Sequence, residues 1–352
     1  MQDWEEGNGK GTMIYKIKWI MRKISYSLIL LLFFLQTSAQ LKWENIDSLY
    51  QPLSSSVHIY FTKESIDTGA FRAFYIIADL KDKKLDFTAD TTYKRRLTPS
   101  QFFKKDNQPL VVVNCTFFSF ETNKNLNVVI KDQKIVSYNI HSISGRGKDT
   151  FTYRHTVGSA IGISRKRKVD IAWLFTDSLH KYPYANQSYR NAVKDSFSIF
   201  PFEYIKGMKY LTFRDEIAAR GPKTTPMFHK WKMQTAVGGG PVLLQYGKIE
   251  ITNNEELKFI GKAINDKHPR TAMGYTKEGK LIILVIQGRS ESGGGASLPQ
   301  EAQILKDLGC WEALNLDGGG SSCMLINGKE TIKPSDKEGQ RPVPAVFIIK
   351  QK

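Results

Sequence analysis

One pattern recurs along this chain of 352 residues: an apolar run of strand length, a tight turn with a lysine at or near its end, and a second apolar run. It appears as Asn127–Ile130, Asp132-Gln133-Lys134 and Ile135–Tyr138, and again as Val242–Leu244, Tyr246-Gly247-Lys248 and Ile249–Ile251. Ala272–Tyr275 with Leu281–Gln287 repeats it, as does Cys323–Ile326 before Asn327-Gly328-Lys329. Asn-Gly is a strong hairpin signal, because both central positions of the turn need positive φ. Val157–Ile163 and Val169–Phe175 make a further hairpin around the solvated basic tip 165–168. Such a chain folds by pairing neighbours antiparallel. The hairpins have no common period, which excludes propellers and solenoids.

The expected fold class is α+β, a hairpin-rich, mainly antiparallel or mixed β-sheet core with a few packed helices. Val57–Phe61, Ala73–Leu80 and Leu110–Val113 read as further strands from their β-branched and aromatic content. Gln40–Tyr50 reads as a leader or short helix, and Lys81–Arg96 as a charged loop. Thr98-Pro99 opens a short helix over Ser100–Lys105. A clearer helix follows Ser297, whose capping box with Gln300 marks its start and whose end is Gly309. Glu301 falls on the apolar face of that helix, between Leu298 and Leu305, which favours a carboxylate pointed toward a site. Tyr182–Pro226 is irregular but aromatic, and reads as a covering loop or lid.

The N-terminus sets the expected compartment. Arg22-Lys23, the apolar run Leu28–Leu35 and the small residues Thr37-Ser38-Ala39 have the order of a secretory signal peptide. The run is too short to span a bilayer, which takes about 20 residues. The expected division is 1–39 as a signal peptide (its start over-extended before Met21), 40–108 as an N-terminal segment of strands, and 109–352 as the main domain. The expected product is secreted or periplasmic, with no transmembrane anchor after cleavage.

Residues 40–352 keep 46 Lys+Arg against 31 Asp+Glu, a basic balance that favours anionic partners. The charge is dispersed and no nucleic-acid fold signature is present, so DNA and RNA are excluded as partners. The three cysteines, Cys115, Cys310 and Cys323, are too few for a disulfide framework and are not spaced for zinc. Buried thiols are the preferred reading, with a Cys310–Cys323 bridge as the alternative.

The chemistry concentrates at Ala313–Ser322, where a short apolar strand runs into Asp317, Gly318, Gly319, Gly320, Ser321 and Ser322. A tight turn needs one glycine. Three beside a carboxylate let backbone approach a ligand and can aim several N–H groups at an anion. Arg270 opens one strand of a hairpin and Arg289 follows the other, so the two guanidinium groups lie at the same end, suited to bidentate phosphate contacts. Gly238-Gly239-Gly240-Pro241 and Ser292–Gly295 add two more glycine turns.

His268-Pro-Arg-Thr-Ala-Met-Gly274, Gln287-Gly-Arg289, the helix bearing Glu301, Leu308-Gly-Cys310 and Asn315-Leu-Asp-Gly-Gly-Gly-Ser-Ser322 form one ordered set. That set resembles the phosphodiester glycosidase family, from about Pro109 to the C-terminus. Val237-Gly-Gly-Gly-Pro-Val-Leu-Leu244 and the strand at Arg341-Pro342-Val343 are similar to its motifs too. The resemblance implies hydrolysis of a sugar-1-phosphodiester at the anomeric bond, releasing free sugar and a phosphomonoester. N-acetylglucosamine-1-phospho linkages are one such substrate. The leaving phosphate is already a stable anion, so charge stabilisation matters more than a strong general acid.

On this reading Asp317 is the first choice and Glu301 the second for the carboxylate that activates water or attacks the anomeric carbon. Arg270, Arg289, the Gly318–Gly320 amides, Ser321, Gly239 and Gly240 hold the substrate and its phosphate. Asn114 and Asn315 hold sugar hydroxyls or an acetamido group. His268, Thr271 and Gln287 support them. The reading requires no cofactor and leaves open a divalent cation such as Ca²⁺ near Asp317; it is silent on oligomeric state. The chain departs from the family in having Asn114-Cys115-Thr116-Phe117-Phe118 for Asn-Gly-Gly-Phe-Phe, which narrows the site. It has Gln287-Gly288-Arg289 for Asp-Gly-Arg, which removes a carboxylate. These departures keep two alternatives in view: a non-catalytic glycan- or sugar-phosphate-binding protein, and a factor in exopolysaccharide assembly or remodelling.

Overall fold

The computed structural model describes residues 40–145, 149–189, 193–195 and 228–352. The compact unit runs Lys42–Lys352. The leader at 1–39 and most of the covering loop at 182–226 lie outside the described residues.

The local hairpins form where the alternating apolar runs and turn residues place them. Val129–Lys131 pairs with Lys134–Ser137, Val242–Gln245 with Lys248–Ile249, Met324–Ile326 with Lys329–Glu330, and Gly158–Ile163 with Val169–Phe175. Arg270–Tyr275 pairs with Lys280–Ile286 over six positions. Asp132 and Gln133 take positive φ at the first of these turns, and Asn327 and Gly328 at the Asn-Gly turn. All described strand pairs are antiparallel, but they build several sheets and not one. The reason is that local hairpins leave open which of them meet across long stretches of chain.

An eight-stranded sheet carries the region of interest. Its order is Glu44–Asn45, Val57–Thr62, Ala73–Asp79, Lys280–Ile286, Arg270–Tyr275, Glu312–Asn315, Val242–Gln245, Lys248–Ile249. The register sets Arg270 opposite Ile286, Ala272 opposite Asn315, and Val242 opposite Leu314. Two strands therefore start, and the two between or beside them end, at one edge of the sheet. The glycine-bearing segments that follow or precede those strands are gathered there.

A five-stranded sheet contains Leu85–Thr91, Val111–Asn114 and Ala345–Gln351, and a seven-stranded sheet contains Gly158–Ile163, Val169–Phe175 and Thr235–Gly238. One hydrophobic core joins all three. Ile76, Met273, Ile283 and Leu314 pack in it with Phe87, Val113 and Phe347, and with Ile161, Trp173 and Val237. Each such side chain removed from water contributes about 1.5–3 kcal/mol.

Lys81–Arg96, expected as a loop, contains the strand Leu85–Thr91, paired along its whole length with Ala345–Gln351. Only Leu85, Phe87 and Ala89 face the core. The intervening face carries Asp90, which accepts from Lys131 Nζ at 2.7 Å and also pairs with Lys105. Flanking charge hid a period of two that only three residues carry. Gln40–Tyr50 likewise forms a two-residue strand and a 3₁₀ turn, Asp47–Tyr50.

The helices follow their caps. Thr98 and Gln101 close a capping box at Pro99–Lys105, and Ser297 and Gln300 close one at Leu298–Asp307. The second helix buries Leu298, Ala302, Ile304, Leu305 and, among them, Glu301. No helix among the described residues is long and apolar enough to cross a membrane. All three cysteines are buried free thiols.

Candidate active site at the sheet edge

Asp317 leaves the strand Glu312–Asn315 and is held by its backbone. Its N–H donates to Cys115 O at 2.8 Å, and its carbonyl accepts from Asn114 Nδ2 at 2.5 Å. The other end of the Asn114 amide accepts from Thr271 Oγ1 and from the Cys323 N–H, each at 3.0 Å. Thr271 O in turn accepts from the Leu316 N–H at 2.8 Å. Asn114 and Thr271 thus brace the turn that carries Asp317, and Asn114, fully buried, spends its oxygen inside the protein.

The carboxyl itself is treated differently. Asp317 Oδ2 is buried and has no hydrogen-bond partner. Burial pushes its pKa up to about 7, against the lowering pull of the Ser321 hydroxyl, the Arg341 charge and the Gly318 N–H. Ser321 Oγ lies near it without full hydrogen-bond geometry. A half-buried acid with one oxygen enclosed and unpaired, titrating near neutrality, is suited to exchanging a proton or attacking a carbon.

Each glycine after Asp317 has its own constraint. A Cβ at Gly318 would lie 2.8 Å from Pro269 O. Gly319 has φ +61° and donates to that same Pro269 carbonyl at 2.8 Å. A Cβ at Gly320 would collide with Arg341 and Asp336, which form a two-point ion pair with N···O distances of 2.7 and 2.8 Å. The turn is therefore pressed between the Pro269 strand start on one side and the Arg341–Asp336 pair on the other.

The two arginines differ sharply. Arg289 is exposed, and its guanidinium lies against Gly319. It makes no hydrogen bond or ion pair among the described residues. Arg270 is buried and committed: Nε donates to Ala296 O at 2.8 Å and Nη2 to Asp266 O at 2.9 Å, over the Phe259 ring. Behind it, Glu301 is completely enclosed and neither of its oxygens has a hydrogen-bond partner. Burial raises Glu301 to about 8 against the Arg270 charge, so at neutral pH it is largely protonated. The charge that acts on Glu301 is that of Arg270, and not that of Asp317.

His268 exchanges backbone hydrogen bonds with Ala296 and leaves Nδ1 buried without a partner. Burial, then the charges of Arg270 and Arg289, hold it below the ordinary histidine range, so it is neutral near pH 7. Gln287 is used fully inside the protein: Nε2 donates to Ser290 and Ser292 at 3.1 and 2.9 Å, and Oε1 accepts from the Lys333 N–H at 3.0 Å. Asn315 Nδ2 donates to Gly240 O at 2.8 Å, while its Oδ1 is buried and unpaired. Gly239 and Gly240 lie beside Asn315, with the Gly240 N–H donating to Asn315 O at 2.7 Å. Among the described residues, no group of three or more His, Cys, Asp or Glu side chains is placed to hold a metal ion.

Several residues at this edge were not singled out from the sequence. Arg341 stood in a recognised segment, but Asp336, its partner, carries no motif. Asn127, which accepts from the Phe117 N–H at 3.1 Å and donates to Gly239 O at 3.2 Å, stands at the head of an apolar run. Glu256 and Lys258 lie in the stretch Asn253-Asn254-Glu255-Glu256-Leu257-Lys258, whose composition is that of a solvated turn. The burial of Glu256 and the partial burial of Lys258 come from tertiary packing.

The family model described as phosphodiester glycosidase matches residues 209–350. The N-acetylglucosamine-1-phosphodiester alpha-N-acetylglucosaminidase of Mus musculus is 36% identical over 88 residues, 25% of this chain and 17% of that protein. The uncharacterized SPbeta prophage-derived protein YomE of Bacillus subtilis is 38% identical over 73 residues, 21% of this chain and 11% of that protein. The matched stretch thus spans under a fifth of either relative's length. The fold is similar to a hypothetical protein from Synechocystis, with TM-score 0.56 and 15% identity, covering 90% of this chain and 65% of that one. It is also similar to the zebrafish N-acetylglucosamine-1-phosphodiester alpha-N-acetylglucosaminidase catalytic domain, with TM-score 0.54 and 19% identity, covering 90% of this chain and 89% of that one. Residues 209–350, the stretch similar to the phosphodiester glycosidase family, hold the hairpin from Arg270, Arg289, the helix with Glu301 and the Asp317 turn.

Proposed function

We propose that this chain is an exported hydrolase that cleaves a sugar-1-phosphodiester at the anomeric carbon–oxygen bond, releasing free sugar and a phosphomonoester. The observation that carries the reading is the Asp317 carboxyl. It is half-buried, with Oδ2 enclosed and unpaired, and poised near neutrality beside three glycines, with the unpaired Arg289 guanidinium leaning on the second of them.

The ionised Asp317 activates water, or attacks, at the anomeric carbon. The bond breaks toward phosphate, and the departing oxyanion is received by Arg289, whose guanidinium leans on the glycine turn. Arg270 adds positive potential from behind, because its own donors are taken by Ala296 and Asp266. Glu301 is a positioning group on this reading, a neutral acid that sets the field at Arg270. The departure at Gln287 leaves no gap, since its amide bonds three groups of the surrounding loops. The export signal at 1–39 would deliver the enzyme to a secreted or periplasmic location, where phosphorylated glycans are available as substrates.

The test is release of free sugar from a panel of sugar-1-phosphodiesters, N-acetylglucosamine-1-phospho compounds included. The chain without residues 1–39 and its Asp317→Asn variant are each assayed with and without EDTA. Turnover by the parent and its loss in the variant support the proposal. A parent that binds these compounds without turning them over points to the glycan-binding alternative. Turnover of polymer alone points to exopolysaccharide remodelling.

A further inference from the structure

We propose that Lys258 is a second anion-binding pole of this site, and that the preferred substrate carries another oxyanion on its sugar besides the phosphodiester. The inference rests on the reading of the site given above and names its substrate class more closely.

Lys258 is drawn into the sheet edge from three sides. A Cβ at Gly240 would collide with its Cε, and Gly240 is bonded in both directions to Asn315, two residues before Asp317. Its ammonium sits 5.4 Å from the centre of the Phe117 ring, and Phe117 follows the Cys115 carbonyl that receives the Asp317 N–H. The next residue, Phe259, packs edge-on to Phe117 at 6.2 Å and lies under the Arg270 guanidinium. Lys258 is thus on the Val242–Gln245 side of Asp317, and Arg289 is on the Lys280–Ile286 side, with the strand ending toward Asp317 between them.

The ammonium has three donors and makes no side-chain hydrogen bond or ion pair among the described residues. Its nearest negative charge, Glu256, is already consumed. Glu256 Oε1 accepts from Trp173 Nε1 at 3.1 Å, Val242 N at 3.1 Å and Thr252 Oγ1 at 2.7 Å, and Oε2 accepts from Ser159 Oγ at 2.6 Å. Glu256 attracts Lys258 through space, but burial outweighs it and holds the lysine below its ordinary range. A partly desolvated cation without a direct partner is costly, and an incoming oxyanion offsets that cost. The aromatic faces of Phe117 and Phe259 beside it suit the apolar face of a sugar ring. That places the second oxyanion on the sugar and not on the aglycone. A uronic-acid carboxylate and a sugar phosphate share the required chemistry.

The experiment is calorimetric binding of three phosphomonoester ligands to the chain without residues 1–39: glucose 1-phosphate, glucuronic acid 1-phosphate and glucose 1,6-bisphosphate. At least one of the doubly acidic ligands binds about tenfold or more tightly than glucose 1-phosphate, as expected for a charge-assisted contact. Which of them does so tells carboxylate from phosphate. Lys258→Met and Lys258→Gln erase that preference, whereas Arg289→Gln weakens all three ligands alike. Equal affinities in the parent, a preference that survives both Lys258 variants, or no binding at all would overturn the proposal. The comparison within the parent decides even if a variant fails to fold. Hydrolysis of a neutral sugar's phosphodiester without any such preference would sink this inference and leave the proposed activity standing. Lys258-dependent preference without hydrolysis would do the reverse.

Discussion

The Arg289 guanidinium rests on the backbone of Gly319, so close that a Cβ there would lie 3.3 Å from Nη2. Gly319 also has φ +61°, where an L-residue is strained. Gly319→Ala therefore costs about 1–2 kcal/mol in backbone strain and displaces the one unpaired arginine of the turn. The expected result is a rise in KM for phosphodiesters of tenfold or more with a modest loss of thermal stability. Steady-state kinetics beside a melting curve checks it. A variant with unchanged KM would mean that Arg289 does not meet the phosphate.

Asp317 titrates near 7 because it is buried, and Arg341 is one of the groups that holds it from rising further. If the ionised form reacts, kcat/KM climbs with pH through an ascending limb near 7 and levels above it. Arg341→Met removes the lowering charge, so the limb moves to higher pH. It also frees Asp336, which makes a melting-temperature control necessary. A limb that stays in place in Arg341→Met would separate it from the Asp317 titration.

Glu301 is raised to about 8 by burial. A carboxyl whose folded pKa lies above its unfolded value holds its proton longer when folded. The unfolded chain releases protons from about pH 4.5, so stability falls as pH rises from there and the loss is complete above about 8. Glu301→Gln removes that loss. The variant should match the parent near pH 4 and exceed it at pH 9 by an amount on the order of a few kcal/mol, read by denaturant melts at both pH values. Equal stability of the two proteins at pH 9 would show that Glu301 ionises freely in the fold.

Glu256 gathers donors from Ser159, Trp173, Val242 and Thr252, which ties the seven-stranded sheet to the eight-stranded one. Glu256→Gln removes the charge and replaces one acceptor oxygen with an amide N–H₂, whose donation the Trp173 and Val242 N–H groups cannot accept. Stability should fall by about 2–3 kcal/mol, the usual worth of hydrogen bonds to a charged group. Differential scanning calorimetry reads this directly.

Much of this was legible in the chain alone, and the reason is locality. Hairpins such as Arg270–Tyr275 with Lys280–Ile286 need only alternating apolar residues and turn residues with permissive φ. The Leu298–Asp307 helix announces itself through Ser297 and Gln300. Asp317 with Gly318, Gly319 and Gly320 stands out because three glycines have no packing use. The strand Leu85–Thr91 was hidden, since its pairing with Ala345–Gln351 joins residues more than 250 positions apart and its other face carries Asp86 and Asp90.

The sequence by itself determined the hairpins, the capped helices and the residue types at the sheet edge, because each follows from neighbours a few positions away. Only the tertiary structure decided what those residues do there. It gave Asn114 to the Asp317 backbone, spent the Arg270 donors on carbonyls, left Arg289 open and set Lys258, half-buried, beside an already occupied Glu256. Burial and partner choice depend on contacts between distant strands, and those contacts set both the charge of a buried group and the donors it has left for a ligand.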